Sequence, residues 1–122
     1  KDTPGIYTLD FSLKSDKKTR IAKRIADFSP RNVTGMDFSR DGKLLIIRNY
    51  LNAHMFTRSK SQPWSEIINK TTPRTVVLPI QRQGEAISFT PDSQAMIVTS
   101  EFTSQPIWKV KYSSQKPAEI KK

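Results

Sequence analysis

Apolar and β-branched residues occur along this chain in short runs of strand length, separated by polar or turn-forming residues. Residues 6–13 (IYTLDFSL) predict a strand, and the polar segment 14–19 predicts a hairpin loop. Residues 20–28 fit two patterns, because their apolar positions have helical spacing while the hairpin needs a returning strand. Those apolar positions are Ile21, Ala22, Ile25 and Ala26. The hairpin context favours the strand.

The segment MDFSRDGKLLII at residues 36–47 returns in altered form as ISFTPDSQAMIV at residues 87–98. Aligning Phe38 with Phe89 gives an offset of 51 residues, at which apolar positions meet apolar positions and turn residues meet turn residues. Asp41 begins a tight hairpin turn in the first copy. The four apolar residues 44–47 that follow predict a strand buried on both faces.

Further strands are predicted at residues 53–58, 72–80 and 106–112. Between the first two of these, Pro63 is suited to a first helical turn, and Trp64, Ile67 and Ile68 are spaced along one helical side. The pattern therefore predicts one short helix inserted in a connection between strands.

A unit of about four strands that recurs after 40 to 50 residues is typical of a β-propeller blade. We predict an all-β fold of antiparallel four-stranded β-propeller blades, with residues 1–122 forming a single partial propeller unit of about two blades. Residues 6–26 would supply the outer strands of one blade, 33–80 a full blade, and 84–112 the inner strands of the next. Because propellers close with four to eight blades, we expect the chain to be part of a larger ring or to self-associate.

The composition adds a strong basic character, with 21 Lys and Arg against 11 Asp and Glu and a formal charge of +10. Six cations crowd one short stretch and form a candidate anion-binding cluster, the basic cluster: Lys14, Lys17, Lys18, Arg20, Lys23 and Arg24. Such a cluster is either a solvated face or a site for an anionic polymer. Aromatic residues are not interleaved with it as base stacking requires, so nucleic acid is not the favoured partner.

The chain has no cysteine, which excludes disulfides, thiolate metal sites and cysteine nucleophiles. Its longest apolar run is four residues, so no transmembrane segment is predicted. It begins close to a strand with no visible signal peptide, and we expect a piece of a longer protein. Catalytic residues are not apparent: His54 has no acidic companion nearby in sequence, and no serine lies in a nucleophile-elbow motif.

The segments VTGMDFSRDGKLLIIRNYLNAHMF and LPIQRQGEAISFTPDSQAMIVTSE, with a Trp-containing short helix between them, resemble the C-terminal part of uncharacterised bacterial secreted or periplasmic β-propeller proteins, of the TolB-like six-bladed class. The resemblance covers residues 33–108 and implies a secreted or periplasmic location. It implies no catalytic set. Asn52 stands where the family usually has an acidic residue.

Propellers bind ligands where the inner strands end, which makes four residues candidates for ligand binding: Arg48, Tyr50, Glu85 and Glu101. Glu85 and Glu101 lie at opposite or adjacent strand ends, depending on register, and their oxygens could contribute to a calcium site, the one cofactor considered. Salt bridging at a blade junction is the alternative role for Glu85. Arg48 either binds an anion or packs with its guanidinium satisfied by hydrogen bonds.

Three functions follow in order of preference. The first is a non-catalytic binding scaffold for an unknown protein or small-molecule ligand, the second a metal-dependent propeller hydrolase of the phytase or lactonase kind, and the third an anionic-polymer or nucleic-acid binder that uses the basic cluster. Open blade faces would expose apolar residues and favour self-association. The residues expected to be exposed are Leu45, Ile47, Val98 and Trp108.

Overall fold

The computed structural model describes residues 3–10, 19–59 and 61–112. Within these ranges the chain forms nine strands and one short helix. In chain order they are β1 (Gly5–Thr8), β2 (Lys23–Asp27), β3 (Val33–Phe38), β4 (Leu44–Asn49), β5 (Asn52–Thr57), α1 (Trp64–Lys70), β6 (Arg74–Val77), β7 (Gly84–Phe89), β8 (Ala95–Ser100) and β9 (Trp108–Lys111).

The strands form three antiparallel sheets, in which neighbours in sequence are neighbours in space. The first sheet pairs β1 with β2, the central sheet has the order β3-β4-β5-β6, and the third sheet has the order β7-β8-β9. The predicted all-β antiparallel class is therefore confirmed, and residues 23–27 adopt the strand alternative. None of these sheets, as far as the structure describes them, closes into a barrel.

The hairpins β3–β4 and β7–β8 have the same register at an offset of 51 residues, since Phe38 pairs with Leu45 and Phe89 with Met96. Their turns also share their hydrogen bonds. In the first turn, the Asp41 carboxylate accepts from the Ser39 hydroxyl at 2.7 Å and from the Lys43 N–H at 3.0 Å.

In the second turn, the Asp92 carboxylate accepts from the Thr90 hydroxyl at 2.5 Å and from the Gln94 N–H at 3.0 Å. These hydrogen bonds lower the pKa of both aspartates, and the bond from the hydroxyl has the largest effect in each turn. Gly42 and Ser93 occupy the left-handed position of their turns, with φ of 67° and 55°.

The three sheets stack face to face, and the central sheet is covered on both sides. One core cluster joins it to the third sheet through residues such as Ile46, Met96 and Val98, and another joins its opposite face to the first sheet and α1 through Leu45 and Ile47. The prediction that residues 44–47 are buried on both faces is confirmed for 45–47, while Leu44 is partly buried.

The expected exposure of Leu45, Ile47 and Val98 is wrong, because the stacking of neighbouring sheets removes all three from solvent. Trp108, at the start of the edge strand β9, is 43% exposed and meets the expectation.

The predicted short helix is present, but α1 begins at Trp64, one residue after the predicted first helical position, and Pro63 precedes it in an extended conformation. The helix buries Ile67 and Ile68 against the first sheet and the central sheet. Asn69 fixes it to β2: its side-chain N–H donates to the carbonyl of Ile25 at 3.3 Å, and its oxygen accepts from the N–H of Asp27 at 3.4 Å. In the described part of the chain, no helix is long and apolar enough to cross a bilayer.

Candidate functional site

Strands β3 and β7 lie beside each other and join the central sheet to the third sheet. The Thr34 hydroxyl donates to the Gly84 carbonyl at 2.8 Å. Further along, the Asp37 carboxylate accepts from the Ser88 hydroxyl at 3.0 Å and from the Phe89 N–H at 2.8 Å. Side chains of one sheet therefore satisfy polar groups of the next, and we call this contact the β3–β7 seam.

Arg48 of β4 extends across the seam and is fully buried. Its Nη1 donates to the backbone carbonyls of Ala86, at 2.9 Å, and Thr99, at 3.0 Å. Its Nη2 donates to the side-chain oxygen of Gln81 at 2.6 Å. One guanidinium thus binds β7, β8 and the segment that enters the third sheet, because its planar fork presents several donors at once.

The charge of Arg48 is held mainly by neutral oxygens. Burial lowers the pKa of its guanidinium, and the nearby charge of Glu85 opposes that effect. An arginine pKa lies so far above neutrality that the group stays charged. Carbonyl and amide oxygens therefore compensate part of its lost hydration.

Gly84 is required where the guanidinium crosses the third sheet. A Cβ at this position would lie 1.5 Å from Nη2 of Arg48 and 2.4 Å from its Cζ. Only glycine, which has no Cβ, leaves room for that approach.

The four predicted ligand-binding residues are brought to one end of the stack without converging on one point. Gly84 pairs with Ser100, so Glu85 and Glu101 lie at the same end of β7 and β8, which resolves the alternative left open by the sequence. Glu85 is half-buried and Glu101 is exposed. Tyr50 is exposed in the turn between β4 and β5, whereas Arg48 is buried in the seam.

The basic cluster is described only in part, since Lys14, Lys17 and Lys18 lie outside the described residues. Arg20 donates to the carbonyl of Asp10. Lys23 is exposed on β2.

Arg24 forms a hydrogen-bonded ion pair with Asp27, and this contact raises the pKa of the Arg24 guanidinium. The same guanidinium lies 5.9 Å from the centre of the Tyr7 ring. One of the three described cations is thus already paired with a carboxylate.

Within residues 3–10, 19–59 and 61–112, no group of three or more His, Asp or Glu side chains is placed to hold a metal ion. The predicted calcium site is therefore supported only by the position of two carboxylates, Glu85 and Glu101, at the same end of paired strands.

Comparison of the chain with protein-family models, curated proteins and solved structures gives no match. The resemblance to TolB-like propellers therefore remains an expectation from the quoted segments.

Sequence reasoning missed the roles of Gln81 and Asp37 in the seam. The offset of 51 residues carried a signal for Asp37, because it aligns this residue with Ser88, to which it is hydrogen-bonded. No comparable signal marks Gln81, which lies outside any strand and contacts Arg48 across 33 residues of sequence.

Proposed function

We propose that this chain is a non-catalytic binding scaffold, built from consecutive β-propeller blades of an exported bacterial protein. Support comes chiefly from the stacking of three antiparallel sheets in chain order, with β3 beside β7. In a propeller the first strand of each blade lies beside the first strand of the next. The exported location rests on the resemblance alone.

The strand numbers support an incomplete ring. The central sheet has four strands, whereas the first has two and the third has three in the described ranges. If four strands make a blade, the first sheet lacks an inner pair and the third lacks one outer strand. Further blades, from the same polypeptide or from a second copy, would complete the scaffold.

The scaffold is preferred over the two other functions on specific contacts. Arg48, which was a candidate to bind an anion, is occupied by three acceptors of the chain itself. Arg24 of the basic cluster is paired with Asp27. A hydrolase of the phytase or lactonase kind needs carboxylates that converge on one metal, and the pair Glu85 and Glu101 would need further ligands.

Sedimentation velocity combined with intact mass tests the proposal. We expect either a closed assembly of several 14.0 kDa chains or a longer polypeptide that contains this sequence. A 14.0 kDa monomer with sharp cooperative unfolding would contradict the partial ring. Calcium-dependent hydrolysis of phytate or of a lactone would instead favour the hydrolase.

A further inference from the structure

A cleft of about 340 Å³ opens between the end of the first sheet, the adjoining face of the central sheet and the segment that follows α1. Its walls include Phe28, Pro30, His54, Phe56, Thr72 and Thr75. The volume falls within the range of about 300 to 1,000 Å³ that is usual for small-molecule sites. The cleft lies at the surface between these elements and does not depend on whether the sheets are propeller blades.

Two buried aromatic rings form its apolar wall. Phe28 and Phe56 meet edge to face, with ring centres 6.2 Å apart and an angle of 63° between the rings. The His54 ring meets Phe28 in the same manner, at 5.5 Å and 73°. Aromatic walls of this kind suit a flat apolar ring, which can join the edge-to-face contacts.

His54 supplies a polar atom without a partner. Its Nε2 is buried and has no hydrogen-bond partner among the described residues. Burial lowers the pKa of His54, so the imidazole is neutral at pH 7. Buried polar atoms in proteins are nearly always hydrogen-bonded, so an orphan beside a cleft points to a bound molecule or water.

The lining also restricts the charge of an occupant. The described residues around the cleft are aromatic, aliphatic, proline, serine, threonine and the neutral histidine, and none carries a formal charge. A charged ligand would lose its hydration there without gaining a counter-ion. A hydroxyl, which both donates and accepts, would satisfy Nε2 in either tautomer of the imidazole.

We propose that this cleft binds a small, uncharged aromatic alcohol or phenol, with its ring against Phe28 and Phe56. A small rotation of the His54 ring would turn the buried Nε2 toward the cleft, where it hydrogen-bonds the hydroxyl of the ligand. Thr72 and Thr75 are exposed at the cleft and leave it open to ligand from solvent.

The test is a titration of the ¹⁵N-labelled protein with phenol, and with toluene as a probe of similar shape that lacks the hydroxyl. We expect saturable shifts in residues 28–30, 54–56 and 71–75, and a five- to tenfold tighter Kd for phenol, the factor expected from one hydrogen bond. The ¹⁵N resonance of His54 Nε2 should move with phenol and stay unchanged with toluene.

Two variants complete the test. His54→Leu should reduce the affinity for phenol to that for toluene, whereas Thr57→Leu, on the opposite face of the same strand and exposed, should leave both affinities unchanged. Equal affinities for phenol and toluene in the unmodified protein, or phenol-induced shifts confined to residues outside the cleft, would overturn the proposal. This comparison needs no variant and stays decisive if His54→Leu fails to fold.

Discussion

Arg48 lies fully buried between two sheets and is bound by two backbone carbonyls and one amide oxygen. Backbone carbonyls cannot be removed by mutation, so a variant that loses the guanidinium leaves the carbonyls of Ala86 and Thr99 without this charged donor. Hydrogen bonds to a charged group contribute more than ordinary ones. The seam between the central and third sheets is therefore sensitive to this side chain.

Arg48→Met should lower the free energy of unfolding by roughly 3 kcal/mol, because it keeps the apolar length of the side chain and removes all its donors. Urea unfolding followed by tryptophan fluorescence measures the change. Arg31→Met, at an exposed position, is the matched control and should stay within about 0.5 kcal/mol of the parent. Equal losses in the two variants would show that the seam does not depend on Arg48.

Gly84→Ala should destabilise the protein by about 2 kcal/mol, since the new methyl group would displace the guanidinium from its acceptors. In an Arg48→Ala background the same substitution meets no guanidinium and should cost less than about 0.5 kcal/mol. A double-mutant cycle in urea measures this coupling. Additive effects would mean that Gly84 is needed for a reason other than its contact with Arg48.

The residue-scale features were only partly accessible from the sequence. Arg48 stood out because it lies near the end of a predicted strand, but its contact with Gly84 joins positions 36 residues apart. Glu85 and Glu101 were expected at strand ends, and their common end follows from the pairing of Gly84 with Ser100. Register of this kind depends on long-range pairing, which residue types alone do not specify.

At the scale of elements, local signals were sufficient for the strands and the helix. Asp41 and Asp92 mark the two hairpin turns, and Pro63 marks the start of α1. These features depend on hydrogen bonds between residues two to five positions apart. The position of α1 against β2 was not predictable, because the Asn69 contacts to Ile25 and Asp27 span more than 40 residues.

Asn69→Ala should loosen the first sheet, since Asn69 provides two hydrogen bonds between α1 and β2. We expect faster amide hydrogen exchange in β1 and β2, equivalent to about 1 kcal/mol. Exchange in β7–β9 should not change. Lys70→Ala, which removes an exposed ion pair with Glu66 in the same helix, is the control. Uniform acceleration across all three sheets would contradict a local role for Asn69.

For the molecule as a whole, the depressed pKa of His54 predicts a stability that depends on pH. Burial disfavours the protonated ring in the folded state, so the unfolded chain binds more protons as the pH falls below about 6.5. Stability is full above that pH and declines as the pH falls through the folded-state pKa. Unfolding midpoints in urea from pH 8 to pH 5 measure this decline.

His54→Gln should remove the decline between pH 7 and pH 5 and keep the loss expected below about pH 4. That later loss arises because hydrogen bonds hold the pKa of Asp41 and Asp92 low in the folded state, so folding favours their ionised forms. An unchanged slope between pH 7 and pH 5 in His54→Gln would assign the decline to other groups.

Which side chains the stacked sheets remove from solvent was the least predictable feature. Periodicity identified the strands, but whether Leu45, Ile47 and Val98 face water depends on which sheets cover them. Their burial comes from contacts among three sheets that are distant in sequence. Composition alone does not show which apolar residues are buried, because about half of the surface of any folded protein is apolar.

Strand β9 forms an edge of the third sheet in the described structure and carries both apolar and charged residues. Trp108 is partly exposed and Ile107 beside it largely so, while Lys109 and Lys111 are exposed further along. Lysines on an edge strand discourage pairing with a strand of another molecule, because it would bring like charges together and bury them. We infer that these lysines limit disordered association at this edge of the third sheet.

Replacing both lysines, in Lys109→Val/Lys111→Val, should therefore increase aggregation with β structure, measured by light scattering and thioflavin T fluorescence at neutral pH. The control, Lys43→Val/Lys70→Val, removes the same charge from a turn and a helix. It should aggregate much more slowly, because it creates no apolar edge. Similar rates in the two double variants would mean that net charge, rather than the β9 edge, governs association.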